Sequence, residues 1–342
     1  VLQKIKMTIE VQGDGSAKPS RRLMAAILLA TLGWILPGGQ APAAGPEKIP
    51  VVATILPLGD FCRRLGDERV TVQVLIPPGA SPHVFEPAPS VIARAAQARI
   101  FVYIGAGLEP WADKLLSSRD TAGLAVVEAA HGIPLIKEAG EHHGEALEKN
   151  HQSHKPGKGE EKTPVAHKGH SHRAGNPHIW LDPVLAQEIC RQITGALIRV
   201  DPEHRAYYET RLKDFLSELE KLHQEIQTRV ATWSLKEYVS FHPAYTYFAR
   251  RYGLKEVGVI EAAPGREPTP RHLKQIVTAI KRYGIRVVFA EPQLNPRVAQ
   301  VIAQEAGVKV LLLDPIGGRP PYGSDYLQLM RYNLNILEEA MK

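Results

Sequence analysis

Short apolar-rich runs recur along the chain at Ile49 to Leu56, Val70 to Ile76, Arg99 to Ile104, Tyr238 to Phe241, Val287 to Ala290 and Val308 to Leu313. Runs of four to eight such residues suit strands buried on both faces. Helical patterns lie between them, at Asp60 to Gly66, Ser90 to Gln97, Pro270 to Tyr283 and Pro296 to Ala306. Strands that alternate with helices imply parallel sheets with crossover helices. Four Asx/Thr-Pro pairs mark helix starts: Asp182 with Pro183, Asp201 with Pro202, Thr269 with Pro270 and Asn295 with Pro296. Proline at the first helical position loses nothing, because its missing N–H would have no intrahelical partner there.

Glu203 to Val230 is the longest helical pattern, and neither Gly nor Pro interrupts it. Tyr208, Leu212, Phe215, Leu219, Leu222 and Ile226 form one apolar stripe along it. At ~1.5 Å per residue such a helix spans on the order of 40 Å, enough to brace two domains. The expected fold class is therefore α/β: two Rossmann-like parallel-sheet lobes joined by one long rigid helix. The expected layout is 1–44 upstream extension and signal peptide, 45–200 first lobe, 201–232 linker helix and 233–342 second lobe.

The start of the chain reads as an export signal. Arg21 and Arg22 precede an apolar run from Leu23 to Leu36 and a small-residue stretch ending at Ala43 and Ala44. The run is shorter than the ~20 residues of a membrane span. No cysteine follows it closely, so a lipid anchor is not expected. The two cysteines, Cys62 and Cys190, exclude a disulfide scaffold and a cysteine zinc finger. Whether they pair stays open at this level. A net charge of +6 spread over 342 residues does not call for nucleic acid. From 138 to 175 the chain holds seven histidines among Lys, Glu and Gly, with few apolar residues. Such a stretch cannot offset its ordering entropy by burial, so a disordered loop is expected.

Four segments carry the chemistry: those around His83, His178, His242 and Asp314, each flanked by proline. Three of them sit where an expected strand runs out, and open α/β sheets bind ligands at carboxyl ends of strands. Three imidazoles and one carboxylate suit a four-coordinate Zn²⁺. Imidazole also suits copper, nickel and iron, whereas manganese prefers more oxygen. A site with only protein ligands leaves no open position for catalysis. The ligands are too far apart in sequence to form a local motif, and each histidine alone is more often hydrogen-bonded or solvated than metal-bound.

The same segments resemble those of the solute-binding proteins of zinc and manganese ABC importers (the cluster A-I type), zinc-uptake receptors above all. The resemblance runs from Val51 to Met341. It rests on the segments around His83, His178 and His242, on Glu267 to Thr269, on Leu313 to Gly317 and on Tyr326 to Leu337. It implies two small α/β lobes joined by a long helix, with the metal in the cleft between them. It places metal ligands at His83, His178, His242 and Asp314, Asp314 being the least secure because relatives also use Glu or water. Histidine at position 242 favours zinc over manganese. The resemblance further implies transported Zn²⁺ (Mn²⁺ as the alternative), no catalysis, a periplasmic monomer and a partner in the permease of a zinc ABC importer.

Other residues have simpler readings. Glu86 is a metal-site acceptor or a helix-start carboxylate, Asp182 a helix cap, Trp180 and Tyr245 packing residues near the cleft, and His204, His223 and His272 solvated. Three rivals remain: a manganese or iron receptor, a metal-containing adhesion protein, and a secreted metal hydrolase with Glu86 or Glu261 as base. Because ligand imidazoles must be neutral, affinity is expected to fall as pH drops through ~6.5. A long unbroken helix between lobes predicts only small closure on binding.

Overall fold

A computed structural model describes residues 48–117, 123–137, 175–261 and 268–342. The expected signal segment 1–44, nearly all of the His-rich stretch and Glu267 lie outside the described residues.

The first lobe is built on β1 (Ile49–Ala53), β2 (Val70–Val74), β3 (Ile100–Tyr103) and β4 (Ala125–Glu128), all parallel, in the order β2-β1-β3-β4. The second uses β5 (Glu237–Ser240), β6 (Lys255–Val259), β7 (Val287–Ala290) and β8 (Lys309–Leu312) in the equivalent order β6-β5-β7-β8, again parallel. The central strands β3 and β7 are buried at every position, as their unbroken apolar sequences require. Strands β4 and β6 were not foreseen; both are sheet edges, with half-exposed, mixed sequences such as Lys255 to Val259.

Helices α1 (Leu56–Gly66), α2 (Pro89–Ala96) and α3 (Ala112–Leu116) connect the first strands, and α4 (Pro183–Val200) follows the undescribed stretch. Asp182 caps α4, its Oδ1 accepting from Val184 N at 2.9 Å, as expected. The long helix α5 (Arg205–Ala231) has 27 residues and buries Tyr208, Phe215, Leu219, Leu222, Ile226 and Val230. It starts two residues later than the pattern suggested, after a 3₁₀ turn at Pro202–His204. Asp201 does not cap it; its carboxylate is taken by Arg69, His204 and Tyr208 instead. Then come α6 (Thr246–Tyr252), α7 (Pro270–Tyr283), α8 (Arg297–Ala306) and α9 (Tyr326–Met341). Thr269 caps α7, whereas Pro296 itself occupies the cap of α8 and Asn295 Oδ1 accepts from Arg297 N.

Helix α5 does not stand alone between the lobes. It packs on α1 and α4 of the first lobe and on α9, and α9 in turn touches α1. One apolar core therefore runs continuously from Leu58 and Phe61 through Leu219 and Leu222 to Tyr247, Phe248 and Leu334. Smaller clusters cover the opposite sheet faces, around Phe101 and Trp111 in one lobe and Val288 and Ile302 in the other. Polar ties reinforce the join. Arg64 on α1 meets Glu218 on α5 and Asp325 before α9, and Asp60 accepts from Tyr326 N at 3.0 Å. No helix among the described residues is long and apolar enough to cross a membrane.

Candidate metal centre

In each sheet the strand order reverses beside the first strand, and the crevice there opens at the carboxyl ends of the strands. In the first lobe Glu109 fills this crevice. Its carboxylate accepts from Thr54 Oγ1 at 2.6 Å beyond β1, and from Ile104 N and Gly105 N at 3.0 and 3.1 Å beyond β3. Burial pushes this carboxyl up to about 7. In the second lobe the equivalent crevice holds His242, two residues past β5, and Glu291, directly after β7.

Three imidazoles meet near that point. His83 comes from the loop between β2 and α2, His178 from the turn before α4, and His242 from the other lobe. His178 Nε2 lies 3.1 Å from His83 Nε2 and 3.0 Å from His242 Nε2. All three candidate donor atoms fall within 4.8 Å of one another. Tetrahedral zinc with Zn–N bonds of 2.0–2.1 Å needs nitrogens roughly 3.3 Å apart, close to the 3.1 and 3.0 Å that separate His178 from the other two. The rings border a cavity of about 10 Å³, also lined by Ser81, Pro82, Glu291, Gln293, Leu294, Pro315 and Ile316. A space of this size takes a single water-sized particle and no organic solute.

The rings are held in place from behind. His178 Nδ1 lies 2.9 Å from Asn176 Oδ1, and the Asn176 amide nitrogen donates to Pro243 O at 2.6 Å. One buried asparagine thus ties the His178 turn to the backbone beside His242. The His242 Nδ1 contacts Glu291 Oε1. With Nδ1 as donor in both cases, both Nε2 lone pairs face the cavity. Trp180 is fully buried against the His178 ring, and its Nε1 donates to Pro315 O at 2.7 Å. Burial, with a smaller contribution from His242, pulls the His83 imidazole down to about 3. Burial likewise holds His178 well below the ordinary range, helped by His242 and His83. Both rings are therefore neutral, the form that binds metal.

Asp314, expected as fourth ligand, is buried next to this centre, but its oxygens are not in the donor cluster. Its Oδ1 accepts from Gln293 Nε2, Ile316 N and Gly317 N, and its Oδ2 from Tyr322 Oη at 2.7 Å. Four donors meet the carboxylate, three of them from its own loop and one from Gln293. Glu86 is exposed and does not line the cavity. His204, His223 and His272 are not simply solvated: they bond Asp201, the Tyr252 hydroxyl and Val259 O. Sequence reasoning passed over Asn176 and Glu291. Glu291 carries the signal that flagged the others, a polar residue between a strand end and a proline.

Three buried or half-buried imidazoles converging from two lobes on an ion-sized cavity define a protein that binds a metal ion between its domains. Residues 51–340 match the family described as zinc-uptake complex component A periplasmic, ZnuA, and the chain belongs to it. The family is one of binding proteins, not enzymes. The high-affinity zinc uptake system protein ZnuA of Bacillus subtilis (strain 168) is 31% identical over 319 residues, covering 92% of this chain and 94% of that protein. A ZnuA deletion mutant crystallised with zinc bound superimposes with a TM-score of 0.71 at 29% identity, over 86% of this chain and 99% of its own. The laminin-binding protein Lmb of Streptococcus agalactiae, described as having adhesin and metal-transporting activity, gives a TM-score of 0.70 at 30% identity, over 86% of this chain and 100% of that one.

Proposed function

We propose that this chain is a high-affinity periplasmic zinc receptor that hands Zn²⁺ to the permease of an ABC importer and works as a monomer. His83, His178 and His242 are its ligands. The observation that carries this reading is the convergence of three Nε2 atoms on one ion-sized cavity. The all-nitrogen cluster supports zinc over manganese, which prefers oxygen donors. The relatives crystallised with zinc and named for zinc uptake support the same ion. Asp314 serves as a fourth ligand if its Oδ2, which among the described residues accepts only from Tyr322 Oη, turns its second lone pair to the ion.

Calorimetric titration of the metal-free protein with zinc and manganese tests the reading, beside His178→Ala, His242→Ala, Asp314→Ala and a variant lacking 138–174. Tight one-to-one zinc binding that either histidine variant removes, and that exceeds manganese binding, is expected. Tighter manganese binding, or zinc binding lost only with 138–174, refutes it. Asp314→Ala is expected to cost stability in the metal-free protein and less zinc affinity than His178→Ala. A zinc loss equal to that of His178→Ala makes Asp314 a ligand.

The likeness to Lmb favours a second reading, an added adhesin role. Binding of the zinc-loaded protein to immobilised laminin tests it, and no binding above an unrelated protein rejects it.

A further inference from the structure

The geometry points to Glu291 as the residue that positions His242 for the ion; the inference rests on His242 being a ligand. Val239 of β5 pairs with Val288 of β7 in parallel register. Three residues further along each strand stand His242 and Glu291, so the register itself sets them side by side. Glu291 is 4% exposed and grips His242 twice: Oε1 contacts the ring Nδ1 and lies 3.4 Å from the backbone N. A carboxylate accepts only, so the imidazole proton is held on Nδ1 and Nε2 is left bare toward the cavity. Glu291 lies outside the three-nitrogen cluster and so acts through His242, not as a ligand.

Charge gives the same residue a second task. A divalent ion among three neutral imidazoles is a doubly positive centre in a buried space, which is costly without a counter-charge. Glu291 is the sole carboxylate among the residues lining the cavity. Its Oε2 is buried without a hydrogen-bond partner among the described residues. The Asp314 carboxylate, by contrast, is spread over four donors. The three rings are thus held unequally, His242 by a carboxylate, His178 by an amide, and His83 with no such bond to Nδ1 among the described residues.

The test uses Glu291→Ala, which removes acceptor and charge, and Glu291→Gln, which keeps an acceptor oxygen and the shape. Zinc affinity is measured by chelator competition, and the His242 tautomer of the metal-free protein by long-range ¹H–¹⁵N NMR. Glu291→Ala is expected to release the fixed tautomer and lower affinity by about 10- to 100-fold, the usual effect of losing such a partner. Glu291→Gln is expected to keep the tautomer and to bind zinc between the two. If Glu291→Ala is too unstable to assay, Glu291→Gln decides: an affinity within twofold of the parent overturns the charge role. A parent tautomer in folded Glu291→Ala overturns the positioning role. His178→Ala, measured alongside, separates the two readings: if it too leaves zinc affinity unchanged, the metal site itself is misassigned.

Discussion

Asp182 and Arg251 join the lobes four residues from His178, and breaking them has a cost that can be worked out. The Asp182 carboxylate is buried and caps α4 through Val184 N. It also accepts from Arg251 Nε at 2.8 and 3.0 Å, and Arg251 Nη2 lies 2.8 Å from Oδ2. Loss of the cap costs about 1 kcal/mol. Loss of a forked, charge-assisted pair costs about 1.5–3 kcal/mol, toward the lower end here because the arginine side chain is 33% exposed and water can screen it. Asp182→Ala should therefore lose about 2–4 kcal/mol, or about 5–10 °C in Tm for a chain of this size. Arg251→Met keeps the packing of the stem and removes the fork. In a double-mutant cycle the pair should show a coupling of about 1.5–3 kcal/mol. Urea unfolding of rigorously metal-free protein is the assay, since bound zinc would add its own stabilisation. A coupling below about 0.5 kcal/mol would refute the assignment of this pair as a clasp between the lobes. If the clasp holds, the two lobes have little freedom to open, and the radius of gyration should change little on zinc binding.

Two further outcomes follow from burial. Cys62 and Cys190 are both buried and free, and burial pushes the Cys62 thiol up to about 12; a thiol reagent should find no reactive group in the native chain and two in denaturant, whereas none in denaturant would mean a disulfide. The folded pKa values of His83 and His178 lie below the unfolded value near 6.5. The metal-free fold should therefore lose stability as pH falls below ~6.5, where the unfolded chain takes up protons that the folded one refuses. For the same reason proton competition at these two ligands begins lower than free imidazole would suggest. Zinc affinity should fall by about tenfold or less between pH 7.0 and 5.5, and a fall of roughly 600-fold, the value for three free imidazoles of pKa ~6.5, would contradict the burial argument.

Much of the fold is legible in the chain itself. Six of the strands show as apolar-rich runs, the four central ones among them, and α5 shows as one unbroken stripe, because central strands and a buried helix face leave little choice of residue. Strands β4 and β6 escape notice because both are half-solvated edges that hold Glu128, Lys255 and Glu256, whereas the edge strands β2 and β8 keep enough Val and Leu to show. The three histidines are legible too, each beside a proline near the end of a strand or the start of a helix. What could not be read is which side chains share a hydrogen bond. Asp314 has the same sequence signature as the histidines, yet Tyr322, Gln293 and two backbone N–H groups claim its oxygens. Glu291 has that signature as well and is turned to His242 by the β5–β7 register.

Most element types, the parallel α/β class and the imidazoles themselves are written in the chain, because periodicity, proline position and side-chain chemistry are local properties. Packing brings the three imidazoles together, sets Glu109 in one strand-end crevice and His242 and Glu291 in the other, and places four donors on the Asp314 carboxylate. The meeting of the imidazoles depends on distances between residues far apart in the chain, such as His242 and His178, 64 positions apart and 3.0 Å in space, and local chain chemistry does not encode such distances until packing sets them.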